Sequence, residues 1–200
     1  VGFIMPFEFT ELIKDLMNNV SNIDKVVFSV HCHNDLGFAV SNSISALRAG
    51  ARQVECTVNG LGERAGNASL EEIVMTLKTR DELFPFKTSI KTKYFTELSK
   101  KVSDYSGFVV PPNKAVVGEN AFAHESGIHQ HGVIVNPKTY EIINPDKVGA
   151  AGTKIVMGKH SGRHAFKFKL LEMGITLGNK ELERAFFLFK KFADANKVIS

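Results

Sequence analysis

Two short runs of β-branched and apolar residues in this chain each end in a cluster of polar side chains. The first run is Lys25–Val30, and it stops at the segment HCHND that begins with His31. Because side chains alternate along a strand, a strand ending at His33 projects His31 and His33 from one face, opposite Val30 and Cys32. Two imidazoles so arranged can hold one divalent metal if oxygen ligands from neighbouring strands complete its shell.

The second run, Gln53–Asn59, alternates in the same way and favours a second strand. Between the runs, Phe38–Ala49 carries Ile44 and Leu47 at helical spacing and is followed by Gly50, a common residue just past a helix end. A strand, a helix and a strand joined by short loops form a βαβ unit with parallel strands. The sequence therefore predicts an α/β fold whose polar groups lie at the carboxyl ends of its strands, where such folds place their sites.

A glycine-rich segment, GLGERAGN, follows the second run. It leads to a predicted helix whose start carries Ser69 and Glu72, the pattern of a capping box. A loop of this kind before a helix N-terminus can cradle the phosphates of coenzyme A through Gly60 and Gly62. It can equally be a tight turn, and the residues alone leave both interpretations open.

Apolar residues at helical spacing predict further helices outside the βαβ unit. They are expected at Thr10–Val20 with Thr10 as N-cap, within Lys87–Ser106, after Ser161 as N-cap, and from Lys180 onwards. The aromatic stripe of the last helix is interpreted as core or as a dimer interface.

Three histidines, His124, His129 and His131, lie close together in the second half of the chain. Their spacing is weak evidence for a second metal site, and caps or solvated positions explain them better.

Composition and charge favour a globular enzyme over a membrane or nucleic-acid-binding protein. The chain is 44% hydrophobic, which suffices for a core, and we expect no membrane span, no signal peptide and a cytoplasmic location. The net charge is +4, but Lys and Arg are interleaved with Asp and Glu, so a solvated surface explains it better than nucleic-acid binding. Cys32 and Cys56 lie on the apolar faces of their predicted strands, which favours buried free thiols over a disulfide or metal ligands.

The segments HCHNDLGFAVSN, ECTVNGLGERAGN, GENAFAHESGIHQHG and GKHSGRHAF occur in this order across nearly the whole chain. Together they resemble the 2-isopropylmalate synthase family, and homocitrate and citramalate synthases share most of them. Several spaced motifs in order are far more specific than any single pattern. The resemblance implies the last strands and helices of a TIM (β/α)8 barrel in residues 1–84, a linker or accessory subdomain in 85–150 and a helical accessory subdomain in 151–200.

An eight-stranded barrel takes about 250 residues, and this chain shows only two complete strand signals. The opening segment VGFIMP resembles the end of the sixth barrel strand, and the two apolar runs resemble the seventh and eighth. We therefore expect the chain to lack the first half or more of its barrel and to be inactive alone.

The resemblance also implies roles for particular residues. His31, His33 and Asn67 are implied to hold a divalent metal (Zn, Mn, Co or Mg), together with an aspartate that this sequence does not contain. Glu63 is implied to belong to the proton-transfer machinery. The residues alone allow plainer roles, with Asn67 in a helix cap and Glu63 paired with Arg64.

His129 resembles a catalytic histidine that completes the site of the partner subunit in a homodimer whose linker crosses over the neighbouring barrel. At position 131 this chain has histidine where the family commonly has aspartate, which changes a charge beside His129. Tyr140 is a second candidate, and packing on the linker is its plainer role.

The reaction implied by the resemblance joins acetyl-CoA to 3-methyl-2-oxobutanoate and gives 2-isopropylmalate, the first committed step of leucine biosynthesis. The alternatives are a homocitrate synthase, a citramalate synthase or an acyl-CoA lyase with other substrates, because fold does not determine substrate. A noncatalytic dimerisation or binding module with structural histidines is the more distant alternative.

Overall fold

The computed structural model of the chain describes residues 2–124, 142–152, 154–155 and 157–195. The chain divides into two compact units, Val1–Gly118 with Lys147–Ala150, and Glu119–Asp146 with Ala151–Ser200. The elements of the first unit are α1 (Pro6–Asn19), β1 (Ser29–His31), α2 (Ala39–Ala49), β2 (Gln53–Glu55), α3 (Leu70–Thr79) and α4 (Phe95–Ser106).

Strands β1 and β2 are parallel neighbours, with Val30 beside Val54 and His31 beside Glu55. Helix α2 connects them and ends at Gly50, whose φ of 134° is a conformation that favours glycine. The βαβ unit predicted from the alternating runs is therefore confirmed.

Both strands are shorter than the runs that predict them. Val26 and Val27, at the start of the first run, are 62% and 65% exposed and precede β1. Val26 and Val27 therefore lie outside the strand, whereas Val30 and Cys32 are buried, which confirms the predicted burial of the Cys32 thiol.

Helices α1, α2 and α3 pack with β1 around one hydrophobic core. Its buried residues are Phe9, Ile13, Val30, Cys32, Ala39, Ala46, Ala51, Ala68 and Ile73. Burial of an isoleucine or valine side chain contributes about 1.5–3 kcal/mol, and the alanines of α2 let neighbouring backbones approach closely. This core supports the carboxyl ends of both strands, where the polar clusters lie.

Helix α1 begins at Pro6, so the prediction that Thr10 caps it is wrong. Proline suits the first turn because its missing N–H has no helical partner there. The Met5 amide donates to Glu8 Oε2 at 2.9 Å. Thr10 lies inside the helix, and its hydroxyl donates to the Pro6 carbonyl oxygen at 2.8 Å.

Helix α3 follows Ser69 as predicted, but the predicted capping box is wrong. The Ser69 hydroxyl donates to Glu71 Oε1 at 2.5 Å, and Glu72 forms an ion pair with Lys114 instead of turning back to the cap. The buried Glu71 carboxylate, only 2% exposed, thus accepts the Ser69 hydroxyl that the capping-box pattern pairs with a backbone amide at the helix N-terminus.

Helix α4, Phe95–Ser106, lies within the predicted range Lys87–Ser106, and this prediction is confirmed. Its Ser99 hydroxyl donates to Asn59 Oδ1 at 2.5 Å, and Asn59 Nδ2 donates back to the Ser99 carbonyl oxygen at 3.0 Å. This reciprocal pair holds α4 against the turn that follows β2.

The second unit contains β3 (Ala123–His124) parallel to β4 (Lys154–Ile155), and the helices α5 (Arg163–Glu172) and α6 (Asn179–Ala195). Helix α5 starts after Gly162, so the prediction that Ser161 caps it is wrong. Ser161 Oγ instead accepts a hydrogen bond from the Gly158 amide at 3.0 Å.

Three aromatic rings join α5 to α6. The Phe166 ring lies 4.9 Å from the Phe189 ring and 5.6 Å from the Phe186 ring, between centroids. Phe186 and Phe189 are half-buried in this contact, while Phe187 and Leu188 are each 58% exposed. The interpretation of the stripe as core or as a dimer interface stays a prediction.

The contacts place α4 with the strands of the first unit. The three-part division with boundaries after residues 84 and 150 stays a prediction. Within the described ranges, none of the helices has both the length and the apolar character needed to span a membrane.

Candidate functional site

His31 and His33 lie together at the carboxyl end of β1. Their ring centroids are 5.1 Å apart and the ring planes meet at 76°, so the shared face predicted from their spacing is confirmed. His31 Nδ1 lies 3.7 Å from Glu55 Oε2, across the strand pair. A carboxylate beside one ring nitrogen orients the imidazole and leaves the other nitrogen for a ligand.

Asn67 joins the histidines through the backbone. It forms an isolated antiparallel bridge with His33, and the Ala68 amide donates to the Cys32 carbonyl oxygen at 3.2 Å. The Asn67 side chain donates from Nδ2 to the Leu61 carbonyl oxygen at 3.3 Å. That hydrogen bond fixes the amide so that Oδ1 is the remaining acceptor.

Two buried polar atoms of this group lack a hydrogen-bond partner, namely His33 Nδ1 and Asn67 Oδ1. Buried polar atoms are nearly always paired, and an unpaired one requires an explanation. Asn42 Oδ1 in α2 is also unpaired, while its Nδ2 donates to the Ile4 carbonyl oxygen at 3.0 Å.

Imidazole nitrogens with an amide oxygen form a mixed donor set that suits a first-row divalent metal. His31, His33 and Asn67 therefore fit as ligands of such an ion. Among the described residues, no three His, Cys, Asp or Glu side chains converge in a way that could hold a metal. A third donor beside His31 and His33 would have to be a group outside these four residue types, such as the Asn67 amide.

The glycines of the segment 60–67 give Asn67 its space. A Cβ on Gly62 would lie 2.2 Å from Asn67 Nδ2, and a Cβ on Gly66 would lie 2.1 Å from the Gly60 carbonyl oxygen. Gly66 also has a φ of +88°, which strains any other residue. The tight-turn interpretation therefore describes this loop, and its contact with a phosphate stays a prediction.

Glu63 projects from the same loop with its side chain 80% exposed, and its Oε2 lies 3.7 Å from Arg64 Nη1. The plainer sequence interpretation, pairing with Arg64, is thus present in the structure. Arg64 makes a closer, two-point contact with Asp35, from Nε to Oδ1 at 2.7 Å and from Nη2 to Oδ2 at 3.1 Å. These hydrogen bonds hold the pKa of the Asp35 carboxyl below its usual range.

A cavity of about 170 Å³ opens beside the glycine loop. It is lined by residues of the glycine loop, including Gly60, Gly62 and Arg64, and by residues of α4 and the connector after it, including Phe108 and Lys114. No acidic side chain is among the residues that line it.

A buried polar network behind this loop has no counterpart in the sequence prediction. Glu71 accepts hydrogen bonds from the Ser69 hydroxyl and from the backbone amide of Asn59, the latter at 3.1 Å. Lys114 Nζ lies 3.0 Å from Ser69 Oγ and 3.7 Å from Glu71 Oε1, and it contacts Glu72 directly. Lys114 is 45 positions from Ser69, so no local pattern indicates the contact.

Both cysteines are free thiols, Cys32 fully buried and Cys56 half-buried. Burial raises the pKa of each thiol, and a hydrogen bond with Ser43 partly offsets this for Cys32.

The catalytic histidine expected at His129, and with it His131 and Tyr140, lies outside the described residues.

The chain matches two family models, one described as HMGL-like over residues 1–102 and one described as homocitrate synthase post-HMGL domain-like over residues 116–197. It is 60% identical over 200 residues to a 2-isopropylmalate synthase of Dictyoglomus turgidum, and the match covers all of this chain and 39% of that protein. It is 58% identical over 200 residues to a 2-isopropylmalate synthase of Pyrococcus abyssi, covering 100% of this chain and 41% of that one. The chain thus spans about two fifths of the length of these relatives.

The predicted fold class is confirmed by the βαβ unit together with these matches: an α/β segment of a TIM barrel followed by a mostly helical region. Because the HMGL-like model matches more than half of the residues, this chain belongs to the HMGL-like family.

Proposed function

We propose that the protein carrying this chain is an acyltransferase that condenses acetyl-CoA with 3-methyl-2-oxobutanoate to give 2-isopropylmalate. It acts in the cytoplasm, as a homodimer, at the first committed step of leucine biosynthesis. The observation that carries the proposal is the pair of buried, unpartnered ligand atoms, His33 Nδ1 and Asn67 Oδ1, next to His31 at the strand ends. The names of the relatives that cover this chain support the substrate assignment.

His31, His33 and Asn67 would hold the divalent metal of the site. When bound, such an ion polarises the carbonyl of the 2-oxo acid and stabilises the alkoxide that develops on it. Glu55 Oε2 lies 3.7 Å from the Nδ1 side of the His31 ring, and the hydrogen bond from Nδ2 to the Leu61 carbonyl oxygen keeps the Asn67 amide oriented.

The proton steps belong to Glu63 and to His129 of the partner subunit. A base removes a proton from the acetyl methyl group and leaves an enolate. The enolate carbon attacks the keto carbon of the 2-oxo acid, and the keto oxygen then takes up a proton. Water next cleaves the thioester and releases free coenzyme A. A weakly acidic methyl group requires a base held at close range and shielded from bulk water, and Glu63 at 80% exposure needs a second subunit or the substrate to cover it.

Acetyl-CoA would contact the glycine loop at Gly60 and Gly62. The cavity beside these glycines supports this assignment, since Arg64 and Lys114 line it, although each of these cations also pairs with a carboxylate outside the cavity, Arg64 with Asp35 and Lys114 with Glu72. Its volume, about 170 Å³, suits one phosphate or a short part of the pantetheine arm and not the whole cofactor.

The deciding experiment measures release of free coenzyme A by the full-length protein with acetyl-CoA and each of three acceptors: 3-methyl-2-oxobutanoate, 2-oxoglutarate and pyruvate. We expect the first acceptor to give the highest kcat/KM. We expect a chelator to abolish release and added Mn²⁺ or Zn²⁺ to restore it. His31→Ala with His33→Ala should remove the metal-dependent turnover while the far-UV circular dichroism spectrum stays the same.

A different preferred acceptor would reassign the protein to homocitrate or citramalate synthesis. No release with any acceptor would favour a lyase or a noncatalytic module, and unchanged turnover in the double histidine variant would refute the ligand assignment. The 200-residue chain, run in parallel, should release no coenzyme A because its relatives are more than twice as long. Release by this chain alone would contradict that expectation.

A further inference from the structure

Asp35 and Arg64 connect the two loops that carry the candidate ligands. Asp35 follows His33 in the loop after β1, and Arg64 follows Glu63 in the glycine loop. The guanidinium donates to both carboxylate oxygens, at 2.7 and 3.1 Å. We infer that Asp35 and Arg64 are positioning residues that hold the histidine loop and the glycine loop in the register needed for metal binding. This inference rests on the proposed function.

Two-point contact between a guanidinium and a carboxylate fixes direction as well as distance. A single-point contact, or a lysine in place of Arg64, leaves the two groups free to rotate about one bond. The Asp35–Arg64 pair can therefore set the angle between the two loops and not only their separation.

The surroundings of Asp35 hold it in place from other sides. The Asn34 amide donates to the Gly66 carbonyl oxygen at 2.9 Å, which joins the same two loops through the backbone. Asn34 Oδ1 accepts from the Ala39 amide at 3.1 Å and so ties the loop to the start of α2. A Cβ on Gly2 would lie 1.9 Å from Asp35 Oδ2, which shows how closely that backbone approaches the carboxylate.

The backbone of Arg64 supports a role for its side chain. Its φ is +56°, a left-handed conformation that is unfavourable for residues with a Cβ and is usually occupied by glycine or asparagine. An arginine in this conformation is strained, whereas a glycine would fit the turn without strain. The contact that distinguishes arginine from glycine here is the pair with Asp35, together with the approach of Nη1 to Glu63 at 3.7 Å.

The pair is too exposed to act mainly through stability. The Arg64 and Asp35 side chains are 51% and 34% exposed, and exposed ion pairs add little to the free energy of folding. Loss of an outer group that orients metal ligands typically weakens metal binding about 10- to 100-fold. Metal affinity is therefore the measurement that separates positioning from a structural contribution.

The test titrates Mn²⁺ into the metal-free full-length protein by isothermal calorimetry. Arg64→Gly removes the guanidinium and relieves the positive φ, Asp35→Asn removes the charge from the other side, and Arg64→Lys keeps the charge but not the two-point contact. Arg80→Ala is the matched control, because Arg80 Nε lies 2.6 Å from Glu82 Oε1 in a similarly exposed pair away from both loops.

We expect Arg64→Gly and Asp35→Asn each to weaken Mn²⁺ binding about 10- to 100-fold, with Arg64→Lys in between and Arg80→Ala at the wild-type value. The double variant Arg64→Gly with Asp35→Asn should bind Mn²⁺ no more weakly than whichever single variant has the lower affinity, because the two residues act as one unit. The thermal unfolding midpoint should not fall in Arg64→Gly, because the exposed pair adds little stability and glycine relieves the positive φ.

Wild-type Mn²⁺ affinity in Arg64→Gly would overturn the inference, as would losses that add in the double variant. If the wild-type protein turns over and these affinities do not change, the inference fails alone. If the affinities change as expected but no acceptor releases coenzyme A, the proposed function fails alone. A wild-type protein that binds no Mn²⁺ would overturn the inference, while chelator-sensitive turnover with another metal would still support the proposed function.

Discussion

Lys114→Met is expected to loosen the turn after β2 and the start of α3. Lys114 is 16% exposed, and it is the cation that contacts Glu72 and lies 3.7 Å from Glu71, which are 25% and 2% exposed. Removing it leaves two carboxylates together with little water around them.

The magnitude follows from this burial. Loss of one partner of a buried ion pair costs about 3–5 kcal/mol. Partial exposure of Glu72 and the hydrogen bonds that Glu71 retains from Ser69 and Asn59 reduce the expected cost to about 2–3 kcal/mol. A loss of this size makes local opening about 30- to 150-fold more frequent.

Hydrogen exchange followed by mass spectrometry measures this opening in the full-length protein. Peptides covering residues 58–79 should exchange faster by the factor given above, while peptides of α6 should not change. Lys101→Met is the matched control, because the Lys101–Glu97 pair is 61% and 60% exposed and its loss should cost less than about 0.5 kcal/mol.

A second variant tests the reason for the loss. In Lys114→Met with Glu72→Met, apolar side chains replace the pair, so part of the protection should return. The reasoning is refuted if Lys114→Met and Lys101→Met behave alike, or if removing Glu72 as well makes exchange faster still.

Two further predictions concern the same unit. Gly66→Ala should lower the unfolding midpoint far more than Gly107→Ala. Both glycines have positive φ, which alone costs an alanine about 1–2 kcal/mol, but a Cβ at 66 would lie 2.1 Å from the Gly60 carbonyl oxygen and a Cβ at 107 meets nothing within 4 Å. Equal midpoints in thermal denaturation would contradict the clash. Cys56 should react with iodoacetamide more slowly at pH 8 than a free thiol, because burial raises its pKa and only the thiolate reacts. Its reaction rate should climb further as the pH passes 9. A rate equal to that of free cysteine at pH 8 would refute this.

The strands and helices that show a periodic pattern of apolar side chains could be predicted from the sequence. Alternation predicts β1 and β2, helical spacing with Gly50 predicts α2, and these together predict that His31 and His33 share a face. Each of these signals is local, because a strand or helix repeats within a few residues.

The rest depends on contacts between distant residues. Ser69 and Glu72 have the spacing of a capping box, but the Ser69 hydroxyl donates to Glu71 and the Glu72 carboxylate pairs with Lys114. Lys114 lies in a connector 42 positions after Glu72. Arg64 and Asp35 are 29 positions apart, and neither lies in a periodic run. Polar pairs of this kind leave no periodic trace, so a sequence pattern cannot indicate which cation meets which carboxylate.

The bridge between His33 and Asn67 has a consequence for insertions and deletions. Asn67 is reached from β2 through the 58–66 turn, and at its other end Ala68 bonds both Cys32 and Thr57 through the backbone. One residue added to or removed from the turn would move the amide off its place opposite His33, or else pull Ala68 out from between the two strand ends. The length of this turn is therefore restricted more strictly than the side chains at its exposed positions.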